Sequence, residues 1–527
     1  MLKILITDNL SKEGLDILRE EKDIELDVRD KITPDELKRI INNYDALIVR
    51  SATKVTKEII DNSEKLKVIG RAGVGLDNVD VDSASKRGII VMNTPEGNTI
   101  STAEHTFSML LALSRSIPQA NFSVKAHKWD RKNFMGVEVF HKTLGIIGLG
   151  RVGGEVAKRA ISFGMTVIAY DPFLSIEKAE KLEVELADLK ELLSRSDYIS
   201  VHTPLTDETR HLISKDEFNF MKNGVRIINC ARGGIIDEDA LFEAIKSKKV
   251  AGAAIDVFEI EPPQDSRLIE LDCVVTTPHL GASTEEAQVN VAIDIAKQVR
   301  DALKGRGIRN AVNIPSVTSE VFKVIEPYVK LAEKIGSLQS QMVYGRINRV
   351  KVIYGGEVTN HELAPITIAL IKGLLTPALG ETVNYVNASF IAKERKIEVI
   401  ETKTTDVEDF ANLISVEVKT EMMKNSVSGT LFTKNTPRIV KIDNFYVHAV
   451  PEGYMIITFN MDKPGIIGGI GTILGKNNIN IAGMTFGREE SGRQAITVLN
   501  VDSPVPQDVL DQIKKLPNIS DAKLIRL

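Results

Sequence analysis

LGIIGLGRVGGEVAKRAISFGMTVIAYD, residues 144–171, decides how the rest of the chain is read. An apolar run, Leu144 to Ile147, enters Gly148-x-Gly150-x-x-Gly153. A helix-patterned segment follows, and a second apolar run, Thr166 to Tyr170, ends on Asp171. Glycines alone cluster in ordinary turns. Strand, glycines, helix, strand and terminal acid in this order define a dinucleotide-binding βαβ unit. Gly148 permits the tight turn, Gly150 lets the backbone approach a pyrophosphate, and Gly153 lets the helix pack close to its strand. The helix N-terminus offers free N–H groups and a positive dipole end to the phosphates. Asp171 would accept hydrogen bonds from the adenosine ribose and repel a 2′-phosphate, which selects NAD over NADP.

Composition frames this unit. A chain of 527 residues is too long for one domain. The apolar fraction of 43% and charged fraction of 26% are those of an ordinary globular protein. A net charge of −5, with no basic tract carrying interleaved aromatics, argues against a nucleic-acid partner. The start, MLKILITDN, does not read as a secretory signal, and no apolar run approaches the length of a membrane span. Two cysteines, Cys230 and Cys273, make neither a disulfide framework nor a metal cluster by themselves. The expectation is a cytoplasmic protein with no membrane partner and no metal.

On the N-terminal side, strand and helix patterns alternate: Lys3–Thr7, Ser11–Glu20, Ala46–Arg50, Lys54–Ser63, Lys67–Gly70 and Ile89–Met92. This is a parallel α/β layout without a phosphate fingerprint of its own. Thr99 to Ile117 reads as one long helix, stopped by Pro118, that passes into the fingerprint domain. Beyond Asp171 the strands continue as Tyr198–His202, Val225–Asn229, Ala251–Ile255 and Val274–Thr277, and Thr284 to Leu303 is helical. The expected domains are 1–96 with 285–313, 97–284, 314–452 and 453–527. The first two are Rossmann-like or flavodoxin-like parallel sheets and the third is an α+β intervening domain. The last has the ferredoxin-like order βαββαβ.

In an open parallel sheet, ligands sit beyond the carboxyl ends of the strands. That places His202-Thr203-Pro204, Cys230 to Gly234, Asp256 and Pro278-His279 around one pocket. Three residues on this rim suit hydride transfer from a hydroxy acid. His279 has the side chain best matched to taking a hydroxyl proton. Glu261 can fix its tautomer and stabilise its charged form, and Arg232 can hold a carboxylate through two parallel bonds. Each has a plain structural role open to it when taken singly. Their shared rim is what argues for chemistry.

The strings GRAGVGLDNVD (70–80), GIIGLGRVG (145–153), INCARGGIIDEDAL (228–241), DVFEIEPP (256–263) and TPHLGAST (277–284) resemble the D-isomer-specific 2-hydroxyacid dehydrogenases. The resemblance spans about residues 1–313. It implies His279 as acid/base, Glu261 as its partner and Arg232 as substrate anchor. It also implies NAD contacts at Val74, Gly148, Gly150, Arg151, Val152, Gly153, Asp171, Thr203, Cys230, Ala231, Arg232, Asp256, His279, Leu280, Gly281 and Ala282. VRSATKVT (49–56) and KWDRKNFMG (128–136) are similar to the branch that oxidises 3-phosphoglycerate, the first step of L-serine synthesis. Its substrate carries two anionic groups, for which the expected site is Arg50, Ser51, Arg71, Gly73, Arg131 and Lys132.

The last unit resembles an ACT domain, an amino-acid sensor. Its expected effector, L-serine, would meet Asn460, Asp462 and Asn480 at a subunit interface; the alternative is a unit that only dimerises. Asn460 stands where some relatives carry His. The family further implies a homo-oligomer, dimer or tetramer. The middle region resembles the extra substrate-binding-like domain of the longest members, where Arg346, Arg349 and Lys351 could hold an anion or face water. Two other readings stay open at this point: a glyoxylate or hydroxypyruvate reductase, and a non-catalytic NAD-sensing scaffold.

Overall fold

The computed structural model describes residues 1–527 apart from 316–318, 406, 408, 409, 434, 489 and 491. Five short apolar strands open the chain: β1 (Leu2–Ile6), β2 (Ile24–Val28), β3 (Ala46–Val49), β4 (Val68–Arg71) and β5 (Ile90–Met92). Helices α1 (Lys12–Arg19), α2 (Pro34–Ile40), α3 (Lys57–Asp61) and α4 (Val81–Lys86) connect them. All pairings are parallel and the order is β2-β1-β3-β4-β5, the flavodoxin-like doubly wound arrangement. β3 is buried along its whole length, as a strand covered on both faces must be.

The chain leaves this sheet through α5 (Thr99–Arg115) and α6 (Ile117–Lys125). The single helix expected to Ile117 is broken at Ser116, whose φ is +49°. Pro118 opens the second helix rather than stopping the first, since proline lacks only an N–H that a first turn leaves unpaired anyway.

A second all-parallel sheet follows: β6 (Thr143–Ile147), β7 (Thr166–Tyr170), β8 (Glu185–Leu186), β9 (Tyr198–Val201), β10 (Val225–Asn229), β11 (Val250–Ile255) and β12 (Val274–Thr276). Its order, β12-β11-β10-β9-β6-β7-β8, reverses between β6 and β9, which is where open α/β sheets bind ligands. The connecting helices are α7 (Arg151–Ser162), α8 (Ile176–Glu180), α9 (Leu189–Arg195), α10 (Lys215–Phe220) and α11 (Glu238–Lys246). Next, α12 (Glu285–Leu303), capped by the Thr284 hydroxyl, returns to the first sheet. Its Val291, Ile295 and Val299 share a core with Ile4, Ile48 and Val68. Thus α5 and α12 are the two helical crossings between the sheets.

The C-terminal part changes character. Here α13 (Ser319–Met342), α14 (Ala364–Leu379) and α15 (Ala388–Glu394) accompany β13 (Ile347–Gly356), β14 (Glu398–Thr404), β15 (Asn412–Thr420), β16 (Lys424–Phe432), β17 (Thr436–Ile442) and β18 (Phe445–Ala449). This sheet is antiparallel except for the β13–β14 pair. The last unit is β19 (Tyr454–Met461), α16 (Ile466–Lys476), β20 (Ile481–Arg488), β21 (Gln494–Val501), α17 (Gln507–Lys514) and β22 (Ile519–Arg526), with the ferredoxin-like order β20-β21-β19-β22. One apolar core runs through both units: it joins Leu331, Val416 and Ile439 to Met455, Ile457, Val498 and Ile525. No helix among the described residues is long and apolar enough to cross a membrane.

Candidate active site

The fingerprint glycines have the geometry a dinucleotide needs. Gly148 has φ +93°, a left-handed turn that suits glycine. A Cβ on Gly153 would lie 2.2 Å from the Gly148 carbonyl oxygen, so only glycine lets α7 sit this close to β6. A Cβ on Gly150 would meet nothing within 4 Å, which leaves space above the first turn of α7. Gly150 is also the N-cap of α7 and offers no side chain to the free N–H groups of that turn. Beside the turn, the Thr203 hydroxyl oxygen is buried with no hydrogen-bond partner among the described residues. An open helix N-terminus and an orphaned hydroxyl are what the pyrophosphate and nicotinamide halves of NAD would occupy. Asp171 follows β7 and accepts from the N–H groups of Leu149 and Phe173, both at 3.0 Å. Each carboxylate oxygen keeps capacity for a further donor. Arg151 lies 3.4 Å from Glu96 of the other domain. Val152 packs at the margin of the core beneath, and Asn93 donates to the Val74 carbonyl at 2.6 Å.

The rim of the second sheet brings the expected trio to one cleft. His279 Nδ1 lies 2.9 Å from Glu261 Oε2, and the other Glu261 oxygen accepts from the Phe258 N–H at 3.1 Å. A carboxylate only accepts, so Nδ1 carries the proton and Nε2 is left free. Arg232 reaches across the cleft to Asp77 of the first domain, Nε to Oδ2 3.4 Å. Its turn is shaped by Asn229, which donates to the Arg232 carbonyl at 2.9 Å and accepts from the Ala231 N–H at 3.0 Å. Cys230 is buried, and desolvation with the Asp256 charge pushes its thiol well above the usual range. The thiol is therefore inert, and Cys230 contributes backbone to the rim.

Asp256 is also buried, and its carboxylate accepts from the N–H groups of Leu280 at 2.7 Å and Gly281 at 2.9 Å and from the Thr277 hydroxyl at 2.6 Å. Burial alone would raise its pKa, but these donors and His105 hold it below the usual value. Asp256 thus anchors residues 277–281. His279 within this loop adopts φ +56°, a left-handed conformation uncommon outside glycine. Ala282 ends the loop and is exposed.

The first sheet supplies cations at the same cleft. Arg71 ends β4; its Nε is buried without a partner among the described residues. Desolvation first, then the charges of Arg232 and Arg50, push it down to about 10. Gly73 makes room for it: a Cβ there would fall 1.6 Å from an Arg71 guanidinium nitrogen. Arg50 and Ser51 follow β3 in a loop shaped by Asp8, which accepts from the Arg50 N–H at 2.6 Å, and by Asn78, which donates to the Arg50 carbonyl at 2.6 Å. A desolvated guanidinium crowded by two others makes a site for an anion.

Other expected residues have surroundings of their own. Arg131 and Lys132 lie in an exposed turn after α6 and form no ion pair among the described residues. In the last unit, Asn460 is 3% exposed and turned into the sheet, where the Thr458 and Thr497 hydroxyls donate to it. Asn480 instead donates to Asp502 at 2.6 Å, and Asp462 lies 3.3 Å from the Arg488 guanidinium. No hydrogen bond among the described residues joins these three. In the middle domain Arg349 pairs with Glu398 at 2.6 Å, Arg346 donates to the Arg395 carbonyl at 2.9 Å, and Lys351 stands opposite Glu417 across β13 and β15. Ser101 and His105 of α5 escaped the sequence reading, although both contact the loop that carries His279. Their signal was two polar residues one turn apart on the buried face of an apolar helix.

Three family models match: the NAD binding domain of the D-isomer specific 2-hydroxyacid dehydrogenases over residues 107–281, the D-3-phosphoglycerate dehydrogenase intervening domain over 324–443, and the ACT domain over 454–518. A D-3-phosphoglycerate dehydrogenase of Synechocystis sp. is 48% identical, covering 100% of this chain and 95% of that protein. Those of Methanocaldococcus jannaschii and Bacillus subtilis are each 46% identical over 100% of both chains. Among solved structures, the D-lactate dehydrogenase from Aquifex aeolicus complexed with NAD and lactic acid is 31% identical with a TM-score of 0.53. The match covers 57% of this chain and 96% of that one. Fold, rim and matches define an NAD-dependent dehydrogenase of 2-hydroxy acids. The chain belongs to the D-3-phosphoglycerate dehydrogenase family.

Proposed function

We propose that the chain oxidises the C2 hydroxyl of 3-phosphoglycerate to 3-phosphohydroxypyruvate, the first step of L-serine synthesis. The observation that carries this reading is Arg71, a desolvated guanidinium with a free Nε beside Arg232 and Arg50. A substrate with a phosphate as well as a carboxylate needs such a cluster; glyoxylate and hydroxypyruvate do not.

Bound NAD supplies the hydride acceptor. Gly148, Gly150 and Gly153 would hold its pyrophosphate, Asp171 its adenosine ribose, and Thr203, Ala231 and residues 279–282 its nicotinamide side. His279 Nε2 takes the hydroxyl proton, because Nδ1 is committed to Glu261. Glu261 holds the tautomer and stabilises the imidazolium that results. Arg232 orients the carboxylate, and Arg50, Ser51 and Arg71, with the backbone at Gly73, hold the phosphate end. Closure of the two sheets around α5 and α12 expels water from the cleft.

The same reading assigns the ACT unit to L-serine feedback, with Asp462 and Asn480 completed by a second subunit. It assigns self-association to the exposed apolar side chains of α6 and the turn beyond it, Phe122, Trp129 and Met135, which are 75%, 79% and 87% exposed. The test is NADH absorbance with 3-phosphoglycerate, NAD and a trap for the keto product, with and without serine. Turnover suppressed by serine supports both assignments. Turnover that ignores serine removes the feedback assignment. Reduction of glyoxylate or hydroxypyruvate without oxidation of 3-phosphoglycerate overturns the substrate.

A further inference from the structure

We infer that Ser101 and His105, one turn apart on α5, are positioning residues that set His279 through the loop Thr277–Gly281. This rests on the reading of His279 as the base. The Ser101 hydroxyl donates to the Gly281 carbonyl at 2.8 Å. His105 Nε2 lies 3.1 Å from Thr277 Oγ1 and 3.2 Å from Asp256 Oδ1. The Thr277 hydroxyl has a single proton and gives it to Asp256 at 2.6 Å. Nε2 of His105 is therefore the donor to Thr277 Oγ1. The chain of bonds runs from His105 to Thr277 to Asp256, and Asp256 then collects the N–H groups of Leu280 and Gly281. One helix face thus grips the loop at both ends, with His279 between the grips.

His279 needs this grip. Its φ of +56° persists only where the surroundings over-determine the backbone. Its N–H is held by the Asp256 carbonyl at 2.9 Å, so the same residue anchors the loop through backbone and side chain.

His105, Cys230 and Asp256 carry donor atoms within 4.8 Å of one another, a spacing that could hold a metal ion. The chemistry of the set is that of an anchor. The Cys230 thiol is pushed up and away from the thiolate a metal prefers, and the Asp256 carboxylate already accepts from three donors, with His105 Nε2 3.2 Å away. Because α5 is also a crossing between the two sheets, movement of the first sheet reaches His279 through these bonds.

The test compares His105→Leu, His105→Gln and Ser101→Ala in the full-length protein, and His105→Leu in a His279→Ala background. His105→Leu should lower kcat about ten-fold, the scale of a small displacement of a reacting group. KM for 3-phosphoglycerate should stay within about two-fold, since the guanidinium groups of the first sheet are untouched, and the affinity for NADH, read by fluorescence, should fall by less than kcat does. His105→Gln keeps an N–H donor and should recover most of the loss. Ser101→Ala should lower kcat by less. In the His279→Ala background the His105 substitution should change kcat no further, since residues that act as a unit are non-additive. An unchanged kcat in His105→Leu overturns the inference. So does a loss that persists undiminished without His279, or one that takes NADH binding with it and is not restored by Gln. Absence of turnover by the unsubstituted enzyme with any 2-hydroxy acid is a different result, and it overturns the functional reading instead.

Discussion

The two parallel sheets share an architecture and differ in what stands at the carboxyl ends of their strands. The second sheet offers an open helix N-terminus at Gly150 and an imidazole–carboxylate pair at His279 and Glu261. At the same level the first offers guanidinium groups, with Arg71 at the end of β4 and Arg50 after β3. Neither set is demanded by the winding of the sheet. One sheet provides reaction machinery and the other provides charge, so the cleft between them is where a charged hydroxy acid can react.

That division predicts a ranked series of losses. Removing the base should be the most severe: His279→Ala should cut turnover by about 10²–10⁴-fold. NADH binding should remain, so collapse of binding with survival of turnover breaks the role assignment. On the opposite sheet, Arg71→Met should act on substrate affinity. KM for 3-phosphoglycerate should rise by about 10- to 100-fold, the worth of a charged hydrogen bond, with a smaller change in kcat. A variant that loses kcat at constant KM would remove the contrast between the sheets. Asp171→Ala should weaken NAD by about ten-fold and narrow its preference over NADP, since one charged acceptor and one source of 2′-phosphate repulsion are gone. Paired titrations of the two cofactors measure this directly.

The smallest effect concerns stability. Burial pushes His202, at the end of β9, down to about 4. An unfolded chain protonates this imidazole near pH 6.5, about two and a half units before the folded protein does. The unfolded state therefore binds more protons as pH falls from about 6.5 to about 4, and folding stability drops through that window. Thermal unfolding at pH 7 and pH 5 should show a smaller pH difference in His202→Asn than in the parent.

The parallel sheets were legible because strands buried on both faces read as continuous apolar runs. β10 appears in the sequence with the bounds it has in the structure. β2 went unread because it is an edge strand with mixed burial, and α2 because its signals, Thr33 capping and Pro34 in the first turn, sit in a polar stretch. The gathering of His279, Glu261 and Arg232 on one rim was legible because strand-end motifs carry rare residue combinations. His105 was not, since two polar residues one turn apart on an apolar helix mark a polar contact without saying that it reaches a loop 172 positions away. The burial of Asn460 was not legible either: the pleat turns it inward beside Thr458 and Thr497.

The core common to the two C-terminal units has a practical consequence for dissecting control. Truncation after Glu452 would remove Met455, Ile457, Val498 and Ile525 from the packing around Leu331, Val416 and Ile439. The stump would carry an open apolar face, prone to association and proteolysis. A shortened chain that lost its response to an effector would then report a damaged neighbour as readily as a missing sensor. Regulation in this molecule is better mapped by single substitutions on the outer face of the last sheet, with the whole chain kept in place.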